Sequence, residues 1–388
     1  MAPRMGTRPV TIGESDSVPI VSVVVPTHGR AELIAPLLDS LSVSAVNAGG
    51  LVQVLIVDSS DDGDARIISD DCARVGAEFI RGDVNVRKKR NLGVALSEAP
   101  VVLFVDSDVT AERGLIARHL EMYARQPLLG GVLGLTVFEG DLRPSWRIIA
   151  LTKFVRIFDF AKMMPYAVWA TCSNTSYRKA VLAEVGGFDE SFPFRLGGDD
   201  VDLAFRVNDA GYLIGCEPDA VVYHSRKTWY PLSALVRRAA RWGQMDYHLY
   251  QKHVARRSID APRVSSTFVV LAVAFIVCAT LERSGYPLLL PLVWLALVVV
   301  GIPVANACGS RLAWNDVPAR VVAFSIELVN EGSTLYAFLK HGKLKGLWSR
   351  LIAVPEQPVY EWADRVTDLW VQLAMLVGVL GLWAWAIR

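Results

Sequence analysis

The chain has 388 residues, enough for about two domains of ordinary size, and its formal net charge of +1 gives no reason to expect a nucleic acid partner. Hydrophobic residues make up 52% of the sequence, and their excess lies after about residue 265. The five cysteines show no CxxC motif and no paired spacing, which argues against a zinc site or a disulfide framework. Residues 1–19 lack the apolar core of a signal peptide and are expected to form a disordered lead.

Strands and helices alternate through the first third of the chain. Continuous β-branched or apolar runs predict strands at 21–27, 51–60, 77–82 and 99–108, and helical periodicity predicts helices at 31–45, 64–76, 86–99 and 110–126. This order is typical of an open, doubly wound α/β sheet, in which ligands bind beyond the carboxyl ends of the strands. Asp58, Asp106 and Asp108 fall at such ends.

The middle of the chain is less regular. A strand is predicted at 130–140, an aromatic and basic section follows at 141–170, and a last strand over 216–224 ends at His224. A lone histidine is more often structural than a ligand, but a place at a strand end permits metal binding.

Three uncharged or nearly uncharged apolar runs, at 266–282, 286–307 and 368–387, approach the length that crosses a bilayer. A buried core hairpin is the alternative. The basic stretch before the first run places that end inside by the positive-inside rule. The segment 308–367 is also basic, so we expect three spans with this segment as a reentrant or interfacial element on the same side.

Two groups of charged residues indicate a phosphate-bearing ligand. Asp106 and Asp108, separated by one residue after a buried strand, can hold a hard divalent cation through oxygen atoms, although such a pair often only solvates a loop. The basic run 87–90 stands at a helix start, where positive charge opposes the helix dipole. A phosphate-facing role explains the run, and a solvated basic face is the alternative.

The stretch RLGGDDVDLAFR, residues 195–206, crowds three carboxylates at a predicted helix start. Helix capping explains one or two of them. The functional alternative is a set of carboxylates aimed into a cleft, where one acts as a base and others bind hydroxyls or a cation. Asp202 and Arg206, four residues apart, are placed to brace the helix.

The motifs VSVVVPTHGR, VLIVDSS, RNLGVALSEA, VLFVDSD, GGFDES and GGDDVDLAFR follow one another in this order. Together they resemble the family 2 glycosyltransferases of the GT-A fold, over roughly residues 20–245, with 246–388 as a membrane region. The resemblance implies inverting transfer from a nucleotide diphosphate sugar with Mg²⁺ or Mn²⁺. It implies Asp200 as the base, beside Asp199, where the family often has glutamate. It also implies a donor site formed by Pro26, Thr27, Arg30, Asp58, Arg87, Arg90, Asn91 and Asp106. The metal site that it implies is formed by Asp106, Asp108 and His224.

The sequence RAARW at 238–242 resembles the acceptor motif of processive polysaccharide synthases. It is equally an amphipathic basic helix suited to anionic membrane lipid. The acceptor-side candidates are Asn174, Asp202, Arg241 and Trp242. The resemblance implies a UDP-linked donor, a glycan or lipid-linked acceptor, and an integral protein of the cytoplasmic membrane with its catalytic domain in the cytosol. A processive polysaccharide synthase and a non-catalytic, membrane-tethered nucleotide-sugar-binding scaffold are the alternatives.

Overall fold

A computed structural model describes residues 18–193, 195–259, 263–282, 286–309, 311–351 and 360–386. Most of the predicted lead, residues 1–17, and parts of the predicted interfacial segment, 310 and 352–359, lie outside these ranges. The chain divides into two compact units, and each is described by itself. The first contains the chain up to Asp141 together with Ile157–Arg195 and Asp199–Thr228, and the second contains Leu142–Arg156, Leu196–Gly198 and Trp229 onward. The predicted domain boundary at 245 stays a prediction.

The first unit is an α/β layer structure around one large sheet. Its strands are β1 (Val21–Thr27), β2 (Val52–Asp58), β3 (Glu78–Arg81), β4 (Val101–Val105), β5 (Val109–Ala111), β6 (Leu129–Glu139), β7 (Tyr166–Ala167), β8 (Asn174–Arg178) and β9 (Leu213–Ser225). The helices that precede β9 in the chain are α1 (Ala31–Ala48), α2 (Asp62–Val75), α3 (Val86–Leu96), α4 (Leu115–Arg125), α5 (Ser145–Ala150), α6 (Lys153–Arg156), α7 (Phe160–Met163), α8 (Lys179–Glu184) and α9 (Asp199–Asp209). Of these helices, α5 and α6 belong to the second unit.

The sheet order is β3-β2-β1-β4-β8-β6-β9-β5, with β7 paired to β9. Strands β1 to β4 run parallel, as predicted, whereas β8 lies antiparallel between β4 and β6. The sheet is therefore mixed. Apolar residues of β1, β2 and β4 are almost fully buried, and α1 and α4 cover one face with residues such as Leu37 and Ile116.

The predicted helix over 110–126 is wrong at its start. Thr110 and Ala111 belong to β5, which pairs antiparallel with β9, and the helix begins at Leu115. The β-branched Val109 and Thr110 favour the extended backbone, and pairing with β9 satisfies their amides.

The second unit is largely helical. It contains α10 (Leu232–Lys252), α11 (Val264–Glu282), α12 (Leu290–Cys308), α13 (Val317–Lys340) and α14 (Tyr360–Ala386), and a short antiparallel pair of β10 (Arg257–Ile259) and β11 (Ser349–Leu351). Among the residues that the structure describes, three stretches are long and apolar enough to cross a membrane, Val264–Leu281, Pro287–Cys308 and Thr367–Trp385. They coincide with the three predicted apolar runs.

Helix α13 packs along α10 by its polar side. Asn330 donates its amide to the backbone oxygen of Ala239, and Thr334 donates to Asp246 at 3.2 Å. A methyl group added at Gly243 would clash with the backbone oxygen of Asn330, so glycine permits this close approach. The apolar side chains of α13 include the exposed Val322 and Tyr336.

Candidate functional site

Three predicted metal ligands come together beyond the end of β4. Ligand atoms of Asp106, Asp108 and His224 lie within 4.8 Å of one another. Asp106 and Asp108 follow β4 directly, and the pairing of Val109 with His224 in β5 and β9 sets the histidine beside Asp108. Nε2 of His224 lies 3.4 Å from Oδ1 of Asp108.

This donor set fits a divalent cation. Nδ1 of His224 lies 3.2 Å from the backbone oxygen of Ser225, which can only accept, so a cation would be met by Nε2. Two carboxylates and one imidazole nitrogen can hold a divalent cation, and the nitrogen favours a transition metal such as Mn²⁺ over Mg²⁺. Asp106 keeps 34% of its side chain exposed, which leaves an open side. Desolvation and the charge of Asp108 raise the pKa of Asp106, as expected for carboxylates crowded without a cation.

The residues 199–202 occupy the first turn of α9 and have different surroundings. Gly197 and Gly198 precede it with φ of 86° and 77°, a region that favours glycine. Asp199 is buried and accepts from Arg90 at 2.5 Å. Asp202 is buried and accepts two hydrogen bonds from Arg206, at 3.0 and 2.9 Å, so it braces the helix.

Asp200 is the carboxylate of this turn with the clearest sign of chemical tuning. Desolvation, with the charge of neighbouring Asp199, raises the pKa of Asp200 from 3.8 to about 6. The Arg90 cation and the backbone amide of Val201, at 2.9 Å, limit the rise. A carboxylate with a pKa near the working pH is suited to accept a proton.

The four basic residues of α3 separate into different roles. Arg90 contacts Asp199 and lies 3.5 Å from Asp106. Arg87 is buried and donates to the backbone oxygens of Phe192 and Pro193, both at 3.2 Å. Lys88 is exposed and pairs with Asp83.

Lys89 is buried, and its Nζ donates to the backbone oxygen of Thr27 at 2.6 Å and to Oγ of Ser59 at 2.9 Å. Burial lowers the pKa of Lys89 to about 8. Through its two hydrogen bonds, the Lys89 side chain holds the end of β1 beside the end of β2. Asn91 holds both backbone groups of Phe188, through its Oδ1 and its amide nitrogen.

The first strand–helix turn carries three of the donor candidates, and a fourth, Asp58, ends the neighbouring strand β2. Pro26 and Thr27 end β1, and both are buried. Arg30 follows in the left-handed region at φ 65°, and its NH1 donates to Oδ2 of Asp108 at 2.9 Å. Asp58 is fully buried, with its carboxylate bonded to Ser60 and Arg81.

Sequence analysis missed Arg81 and Cys172. Arg81 stands opposite Asp58 in the parallel β2–β3 register, and this register is the signal that could have identified it. Cys172 is buried, and desolvation raises the pKa of its thiol, against the nearby Arg90. A lone cysteine in the sequence gives no sign of such a position.

The acceptor-side candidate Asn174 has unexpected surroundings. Asn174 is fully buried in the sheet, donates to the backbone oxygens of Leu135 and Ala220, and accepts at 2.9 Å from His119. Asn174 stands opposite Val105, the residue before Asp106, but its polar groups are already paired inside the sheet, and its acceptor role stays a prediction.

Arg241 and Trp242 lie on α10 in the second unit, where Arg241 is exposed. The Trp242 ring lies 5.4 Å from that of Phe154, and Arg238 lies over it at 5.7 Å. Their acceptor role stays a prediction.

Carboxylates beyond the carboxyl end of β4, with a histidine of β9 beside them, lie where open α/β sheets bind their ligands. Residues 22–186 match the family model described as glycosyl transferase family 2. The match confirms the GT-A fold class predicted from the sequence.

The chain is similar to validoxylamine A glucosyltransferase of Streptomyces hygroscopicus subsp. jinggangensis, with 28% identity over 51% of this chain and 54% of the relative. It is similar to pre-mycofactocin glycosyltransferase of Mycobacterium tuberculosis, with 31% identity over 54% of this chain and 43% of the relative. The chain thus spans about half the length of these curated relatives. Mannosyltransferase PcManGT from Pyrobaculum calidifontis, solved with GDP-Man and Mn²⁺, aligns over 96% of this chain and 90% of its own, at 17% identity and a TM-score of 0.48.

Proposed function

We propose that this protein is an inverting, metal-dependent glycosyltransferase that moves a sugar from a nucleotide diphosphate sugar to a hydroxyl of a membrane-associated acceptor. One observation carries the proposal. The cluster of Asp106, Asp108 and His224 stands beside the carboxylates that begin α9, with Arg90 in contact with Asp106 on one side and Asp199 on the other. A cation site and a tuned base at one place are what displacement of a nucleoside diphosphate requires.

The metal side of the site would be held by Asp106, Asp108 and His224. A bound Mg²⁺ or Mn²⁺ supplies positive charge that stabilises the departing diphosphate. The exposed Arg30 side chain, anchored on Asp108, is placed to add a second positive charge toward phosphate oxygens. Thr27 and Asp58 shape the turn beside it, which is where we place the nucleotide.

On the acceptor side, Asp200 would take the hydroxyl proton as the acceptor oxygen attacks the sugar carbon. A single base opposite the leaving group gives inversion, because attack and departure occur on opposite faces of the sugar. Asp199 is already paired with Arg90. Asp200 is therefore the better base of the two.

The three helices long and apolar enough to cross a membrane support a membrane-associated acceptor. We place the catalytic domain, 20–245, on the cytosolic face of the cytoplasmic membrane, where nucleotide sugars are available. A lipid-linked saccharide or a nascent glycan fits this location. UDP is the expected nucleotide.

The test is turnover of a panel of UDP- and GDP-sugars by the purified protein, with and without Mn²⁺. Metal-dependent release of one nucleoside diphosphate is the expected result. Binding of a nucleotide sugar without any release over hours, in the presence of membrane lipid extract and Mn²⁺, would contradict an enzyme and favour a binding scaffold. Products that lengthen by many sugars from one acceptor would favour a processive synthase.

A further inference from the structure

The guanidinium of Arg90 is enclosed by acids that come from distant parts of the chain. NH1 lies 2.5 Å from Oδ2 of Asp199, at the start of α9, and NH2 lies 3.5 Å from Oδ1 of Asp106, after β4. Only 9% of the Arg90 side chain is exposed. Arg90 of α3 therefore links the predicted metal site to the start of α9, which carries the predicted base Asp200.

This geometry leaves few guanidinium N–H groups of Arg90 available to bind a phosphate. Both terminal nitrogens already face carboxylates, and Phe188 covers the guanidinium at 5.4 Å from its ring centre. Within the described part of the chain, Nε is buried and without a hydrogen-bond partner. A ligand of the diphosphate would instead present exposed nitrogens, as Arg30 does with 45% of its side chain exposed.

A second arginine supports the same start of α9. Arg87 lies one helical turn before Arg90 and places NH2 at 3.7 Å from Oδ1 of Asp199. It also donates to the backbone oxygens of Phe192 and Pro193, in the loop that leads toward α9. Two buried arginines of one helix thus fix Asp199, and Asp200 is its neighbour in the chain.

We infer that Arg90 is a positioning residue that holds the first turn of α9, and with it the Asp200 carboxylate, at a fixed place relative to Asp106. The inference rests on the proposed function, since it assigns a role within that reaction. Arg90 acts through Asp199 and does not bind the donor. It replaces the phosphate-binding role that the sequence indicated for this residue.

The test begins with Arg90→Lys, which keeps the charge but cannot bridge two carboxylates with a planar fork. We expect turnover to fall about 10- to 100-fold, because a displaced catalytic group is costly. The donor KM and the affinity for the nucleoside diphosphate with Mn²⁺, measured by calorimetry, should stay within about threefold, since uniform binding is untouched. A tenfold weaker nucleotide affinity would overturn the inference and make Arg90 a donor ligand, and so would wild-type turnover.

A double variant tests whether Arg90 acts through Asp199. If it does, Arg90→Lys with Asp199→Asn loses no more turnover than the worse single variant, because both break one pair. Losses that multiply would overturn the inference. Should Arg90→Lys fail to fold, Arg90→Met with Asp199→Asn removes both charges and leaves no buried ion unpaired. Its nucleotide affinity should again stay within about threefold of the wild type, and lost affinity would overturn the inference.

The matched control is Arg118→Lys, the same exchange in a surface ion pair with Glu121 at 3.1 Å. It should keep wild-type turnover. A wild-type protein that neither binds a nucleoside diphosphate nor turns over any donor overturns the proposed function, and the inference with it. An active wild type with an unaffected Arg90→Lys variant overturns the inference alone.

Discussion

The raised pKa of Asp200 makes a specific prediction about pH. The carboxylate has a pKa of about 6 in place of 3.8. A base works only when ionised, so with that pKa about one tenth of the protein is competent at pH 5 and about nine tenths at pH 7. Turnover should therefore rise about tenfold over this range. With the ordinary pKa the same two points would differ by less than about a tenth.

The assay is turnover at saturating donor and Mn²⁺ from pH 4.5 to 8, beside nucleotide affinity at each pH. The affinity separates loss of the base from loss of the metal carboxylates. Asp200→Asn should lower turnover by about 10²–10⁴-fold and leave nucleotide affinity nearly intact. A flat profile from pH 5 to 7 would refute the tuned base. Near-normal turnover of Asp200→Asn beside an inactive Asp199→Asn would move the assignment by one residue.

Four further predictions follow from other parts of the molecule. Excess EDTA should abolish turnover, and Asp108→Ala should change the Mn²⁺ response; full activity in EDTA would contradict the metal site. His119 is fully buried between Ser176 and Asn174, and burial lowers its pKa from 6.5 to about 4. Because the unfolded state takes up the proton first, the folded state should lose up to about 3 kcal/mol as pH falls from 6.5 to 4, seen as a lower melting temperature that His119→Gln no longer shows. Gly243→Leu should lower the melting temperature through about 1–3 kcal/mol of overpacking against α13, whereas Gly332→Ala, which meets no atom within 4 Å, should not. In intact cells, a cysteine at Ser284 should react with an impermeant reagent and one at Gly346 should not; the reverse pattern would contradict the three-span topology.

Residue type and spacing along the chain predicted the strands and helices that depend on neighbouring residues alone. The buried runs of β1, β2 and β4, the acids at strand ends and the helix start at Asp199 all follow from residue type and spacing. The three apolar runs predicted the three membrane-length helices for the same reason.

Strand direction and long-range partners could not be predicted in this way. Nothing in the run 174–178 shows that β8 lies antiparallel between β4 and β6, because buried strands of either direction look alike. A basic residue at a helix start suggests phosphate, but the partner of Arg90 lies 109 residues further along the chain. The burial of Asn174 could not be predicted for the same reason, since its hydrogen-bond partners come from other strands.

The pairing of β5 with β9 has a consequence for how the site is assembled. His224 faces Asp108 only in the register that sets Val109 opposite it, and these two residues lie 115 positions apart in the chain (224 − 109). Because side chains alternate along a strand, a slip of one residue would turn the imidazole to the opposite face of the sheet. Pairing between residues this far apart requires loop closure before it is rewarded, and such non-local pairing folds slowly. The segment 22–186 that matches the family model ends before β9 and α9. Expressed alone, that segment would carry Asp106 and Asp108 but neither His224 nor Asp200, so a nascent chain could bring the proposed site residues together only after β9 has been synthesised and paired.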